Sequence, residues 1–113
     1  MELHQIRMFV VVAENGNLTK AAHLLHITQP AVSGHLKLLE ESLNVRLFER
    51  TATGVRLTRA GLALLPKAQA ALAGFSEFRN AAKELEMSAK REPTGPRGSY
   101  VSGAPTRAPG RNN

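Results

Sequence analysis

The sequence predicts a mainly α fold: three short helices, a two-stranded hairpin and one long helix. Three observations predict it. Before residue 44, apolar residues recur at helical spacing in three separate stretches. Across residues 46–58 the period shifts to an alternating one. From residue 64 a seam of apolar and small residues keeps a heptad period for three repeats.

Each element carries its own signals. Leu3, Ile6, Phe9 or Val10, and Ala13 define a first helix over residues 2–14. Asn15-Gly16-Asn17 interrupts it, and Asn17 suits the cap of a second helix over 18–25. Leu18, Ala21, Ala22 and Leu25 share one side of that helix, and the two small alanines would admit a close neighbour. His26-Ile27-Thr28 reads as a turn, with Ile27 plugging the core. Thr28 suits the cap of a third helix, because Pro30 then falls in the first turn, where no intrahelical N–H is needed. Val32, Leu36, Leu39 and Leu43 form its expected buried face, and Asn44 is placed to end it in a left-handed conformation.

Val45, Leu47 and Phe48 are expected to pack inward, ahead of a turn at Thr51–Gly54 and the alternating Val55-Arg56-Leu57. Thr58 can cap a long fourth helix ending near residue 85 or 86. Leu64, Ala68, Ala71, Phe75, Phe78, Ala82 and Leu85 form its heptad seam. Pro66 removes one backbone bond and predicts a bend. Such a helix would be ~40 Å long, too long to bury on so small a domain, so its seam calls for a partner helix. The expected domains are 1–58, a linker helix over 59–87, and a disordered basic tail over 88–113. Residues 93–113 hold four of the six prolines and four of the nine glycines.

Composition narrows the chemistry. The 113 residues include no Cys and no Asp, which excludes disulfide scaffolds, Cys-based zinc fingers and Ser-His-Asp triads. His23 and His26 are three apart while His4 and His35 are isolated, so the sequence argues against a metal site, and no cofactor is expected. No run reaches the ~18 apolar residues of a membrane span, and a cytoplasmic protein is expected. The net charge of +6 favours a polyanionic partner. Half of that excess lies in residues 91–113, whose four basic residues outnumber one acidic residue.

The residues then match a family. The matching text includes Phe9–Ala13, Leu18-Thr19-Lys20-Ala21-Ala22, Thr28-Gln29-Pro30-Ala31-Val32-Ser33, Arg46-Leu47-Phe48-Glu49-Arg50, and Leu57-Thr58 with Ala60-Gly61. In this register they resemble the N-terminal winged helix-turn-helix of LysR-type transcriptional regulators, from residue 1 to about 86. The resemblance implies three helices plus a two-stranded wing, then a dimerisation linker helix. It implies a dimeric, sequence-specific bacterial DNA binder whose operator has two half-sites. The effector-binding domain that follows the linker in the family is expected to be absent, so no small-molecule effector site is expected in this chain.

Chemistry places the expected DNA contacts. Gln29 can pair bidentately with adenine, Ser33 can bond a base edge or phosphate, and Pro30 with Ala31 can touch a thymine methyl. Thr28 begins that end of the helix, which leads into the major groove, and Lys37 meets phosphate. Thr19 and Lys20 open the second helix, whose N-terminal N–H groups suit a phosphate. Arg50, Thr53 and Arg56 belong to the hairpin, where arginines reach backbone or minor groove. Arg46 and Arg59 are weaker members that could instead pair with Glu49 or a helix end. Gly34 and Leu38 replace the polar or basic residues common in the family, which predicts weaker electrostatic affinity or a closer backbone approach.

Two alternatives stay open. The chain could be a truncated interaction protein that pairs through its linker helix with full-length relatives, or a winged-helix module separated from a second domain. An enzyme is not expected, because no oriented base accompanies Ser33. The tail could be a basic arm that adds nonspecific affinity, or out-of-frame translation of GC-rich DNA.

Overall fold

A computed structural model describes residues 1–91. It contains α1 (Leu3–Asn15), α2 (Leu18–Leu25), α3 (Gln29–Leu43), β1 (Phe48–Thr51), β2 (Gly54–Leu57) and α4 (Arg59–Arg91). Two compact units divide the chain, Met1–Ser76 and a second beginning at Glu77. The expected tail lies outside the described residues from position 92 onward. Residues 88–91 continue α4, which is therefore longer than its apolar pattern suggests. Good helix formers fill that stretch, and Glu86 pairs with Lys90 one turn on, at 3.7 Å.

The helix starts are those the caps announce. The Asn17 side chain accepts the Lys20 N–H at 2.9 Å, Thr28 Oγ1 accepts that of Ala31 at 3.2 Å, and Thr58 Oγ1 accepts that of Gly61 at 3.0 Å. Asn44 ends α3 at φ 60°, and His26 ends α2 at the same φ, a left-handed residue that the turn reading did not identify.

The first unit buries Met8, Phe9, Val10, Val12, Leu18, Ala21, Ala22, Val32, Leu36, Leu39, Leu47 and Phe48 in one core. Each fully buried Leu or Val contributes roughly 1.5–3 kcal/mol. Phe9 and Phe48 meet edge to face at 5.6 Å, tying α1 to the hairpin. Ala21 and Ala22 are buried, and Ile27 packs against the core from the turn.

Three packing expectations change. The buried side of α1 is Gln5, Met8, Phe9, Val10 and Val12, while Ile6 and Ala13 are only partly covered and Leu3 is half-exposed. Gln5 can sit inside because its Oε1 accepts the Glu2 N–H at 3.0 Å, within a capping box. Leu43 and Val45 are 36% and 37% exposed rather than buried. Asn44 reverses the chain between them, and it is Leu47 that enters the core, fully buried. Leu64 and Ala68 do not stand free for a partner helix: Ala68 is buried in the core, and Leu64, Leu65 and Leu72 pack against it.

The hairpin pairs Phe48 with Leu57, Glu49 with Arg56, Arg50 with Val55 and Thr51 with Gly54, leaving Ala52-Thr53 as its turn. It is docked along one edge and closed at its base. Val55 donates its N–H to Gly16 O at 3.3 Å, and a Cβ on Gly54 would lie 2.4 Å from that oxygen. Gly54 also has φ 151°, so glycine is required twice over. At the base, the Thr58 N–H donates to Leu47 O at 2.9 Å, and its hydroxyl donates to Arg46 O.

Candidate nucleic-acid interface

The fold brings the leading end of α3, the start of α2 and the hairpin to one face of the first unit. Gln29 is half-exposed and lines a cleft with Asn17, Thr19, Arg50 and Val55. One turn along α3, Ser33 and Lys37 line a second groove with Glu40, Arg46, Glu49 and Arg50. Arg50 borders both, which makes them one continuous surface. Neither Gln29 nor Ser33 is occluded.

The remaining expected residues lie around this surface without lining either groove. Pro30, Gly34 and Lys20 are exposed and Ala31 is half-exposed. A Cβ on Gly34 would meet nothing within 4 Å, so this turn of α3 presents bare backbone. Thr53 is exposed at the hairpin turn. Thr28 is occupied as a cap, which also consumes the Ala31 N–H. With no N–H on Pro30, the start of α3 retains only the Gln29 N–H among its first three positions. That end is therefore equipped with side chains rather than with an anion-binding backbone. At α2, Asn17 consumes the Lys20 N–H, which leaves those of Leu18 and Thr19 at the helix start.

Charge on the face is partly self-compensated. Arg56 sits 3.6 Å from Glu49, its cross-strand partner, and Arg46 sits 3.8 Å from Glu40. Both arginines are exposed, so each pairing is worth at most ~1 kcal/mol and yields readily to a phosphate. Lys37 and Arg50 have no carboxylate within 4 Å among the described residues. Two participants escaped the sequence reading: Asn17, as a cleft wall, and Glu40, which shares the helical side of Ser33, Leu36 and Lys37. Their spacing on α3 was the available signal. His4 and His35, isolated in sequence, meet edge to face at 4.9 Å between α1 and α3.

On α4, Ala71, Phe75, Phe78, Ala82 and Leu85 are exposed, Phe78 at 76% and Leu85 at 72%. No helix among the described residues is long and apolar enough to cross a membrane.

Residues 3–62 match the family described as bacterial regulatory helix-turn-helix protein, lysR family. An uncharacterized HTH-type transcriptional regulator in the ibpB-leuC intergenic region of Azotobacter vinelandii is 46% identical over 85 residues, or 75% of this chain. The chain spans 59% of that relative, and 24% of the regulator YbhD of Escherichia coli, which is 47% identical over 76 residues. Among solved structures, a BenM DBD complexed with catB site 1 DNA superposes with a TM-score of 0.73 at 35% identity, covering 76% of this chain and 96% of that one. A CbnR DBD–DNA complex superposes at 0.64 with 42% identity, covering 74% and 99%. This chain belongs to the LysR family of bacterial helix-turn-helix regulatory proteins.

Proposed function

We propose that this chain is a sequence-specific double-stranded DNA binder that acts in transcription regulation. The observation that carries the reading is the single surface shared by Thr19, Gln29, Ser33, Lys37 and Arg50, on a fold whose solved relatives include DNA complexes. Gln29 and Ser33 read base edges in the major groove. Lys37 and the Thr19 end of α2 hold phosphates, and Arg50, Thr53 and Arg56 brace the neighbouring backbone. Pro30, Ala31 and the bare turn at Gly34 lie closest to the bases, so the backbone of α3 approaches them directly. Two copies joined through Phe75, Phe78, Ala82 and Leu85 of α4 place two such faces on two half-sites. Work of this kind takes place at the bacterial nucleoid.

Selection of bound duplexes from a random pool, at a stated salt concentration, tests the reading. The expected result is a motif of two related half-sites. Gln29→Ala with Ser33→Ala should abolish sequence preference while leaving salt-dependent binding in place. A pool that returns no motif overturns the reading. Exchange of subunits with a longer relative, without any DNA preference, would favour the interaction-protein alternative.

A further inference from the structure

Two carboxylates, Glu40 and Glu49, line a groove otherwise suited to a polyanion, and Glu40 is the more deeply buried of the two. The Glu40 side chain is only 17% exposed, and its Oε2 accepts the N–H of Leu47 at 2.7 Å and that of Phe48 at 3.2 Å. Arg46 lies 3.8 Å from the same oxygen and donates to Phe48 O at 3.3 Å. Glu40 opens the fourth turn of α3, beyond Ser33 and Lys37, and Phe48 is the first residue of β1. The carboxylate thus fastens the strand that carries Arg50 to the helix that carries Gln29 and Ser33. Charge-assisted bonds from a carboxylate to backbone N–H groups are short and directional, which suits a fixed spacing.

We propose that Glu40 is a positioning residue for DNA recognition, setting Arg50 and the hairpin against α3. This deepens the DNA-binding reading and rests on it for its functional half. Electrostatics alone makes the opposite forecast. A carboxylate beside phosphates repels them, so its removal should tighten binding. If the carboxylate instead acts as a latch, its removal weakens binding, because Arg50 no longer meets its phosphate. The sign of the effect separates the two.

The test uses the full chain and a duplex recovered from the random-pool selection. Glu40→Ala is compared with Arg50→Ala and with the double variant, at a temperature where circular dichroism shows all of them folded. Glu40→Ala is expected to lower affinity roughly 5- to 10-fold and to reduce the salt slope by about 1, as Arg50→Ala does. The double variant should be no weaker than Arg50→Ala alone. Glu40→Gln keeps one acceptor oxygen and should restore part of the affinity. Tighter binding by Glu40→Ala, or additive losses in the double variant, would overturn the proposal. Amide hydrogen exchange needs no DNA: the Leu47 and Phe48 amides should exchange faster in both Glu40 variants. Unchanged exchange there overturns the latch whatever the pool returns, whereas an empty pool beside faster exchange overturns the DNA-binding role.

Discussion

The two stretches of α4 have one sequence rhythm and two fates. Leu64 and Ala68 open the heptad seam, and both belong to the packing of the first unit, Ala68 at 9% exposure. Phe78 and Leu85 continue the same seam in the second unit and are 76% and 72% exposed. A heptad therefore marks a face that requires covering without saying what covers it. The small residue is the one buried and the large ones are left in solvent, the reverse of what size alone suggests. Alanine at position 68 fits where α4 meets a finished core, whereas the phenylalanine and leucine further along have no described residue to bury them.

This contrast can be broken most forcefully at Ala68. Ala68→Arg forces a charged side chain into the core of the first unit and should cost ~3–5 kcal/mol, which chemical denaturation monitored by circular dichroism would read as loss of a stable first unit. Unchanged stability would mean that α4 does not pack there. Next in size is a pair of glycines on the same helix. A Cβ on Gly61 would lie 2.3 Å from Leu47 O, while one on Gly74 would meet nothing within 4 Å. Gly61→Ala should destabilise by ~1–3 kcal/mol. Gly74→Ala should instead stabilise by about 1 kcal/mol, since only helix propensity changes. Thermal midpoints moving in opposite directions would sharpen the comparison, and a common direction would dissolve it. The smallest stability change is expected from Phe78→Ser with Leu85→Ser. The first unit should hold within ~0.5 kcal/mol, yet sedimentation should shift from dimer to monomer. A dimer that persists in this variant would move the proposed self-association elsewhere on the chain.

Local chemistry was legible from residues close together in the chain. Asn17, Thr28 and Thr58 each cap the helix that follows them, and Asn44 takes the left-handed turn expected of it, because each acts on a backbone only a few residues away. The hairpin too could be placed, since Thr51 and Gly54 bracket its turn in register. Burial was less legible where an apolar residue borders a reversal: Leu43 and Val45 look like core yet stay partly exposed, with Leu47 taking the inward place. Gln5 shows the converse, a polar residue inside because a backbone N–H awaits it. At the candidate interface, Gln29, Ser33 and Arg50 were named from motif and chemistry. Glu40 was not, since its two backbone partners lie seven and eight residues away across a turn.

The sequence by itself determined the order of elements, the caps that open α2, α3 and α4, the family and the residue types of the exposed face of α3, because all of these follow from spacing along one chain. Tertiary structure decided which apolar faces are used within the chain and which carboxylate holds the hairpin against the helix. Those outcomes depend on distances between elements, and periodicity fixes a direction around a helix axis but not what stands opposite it.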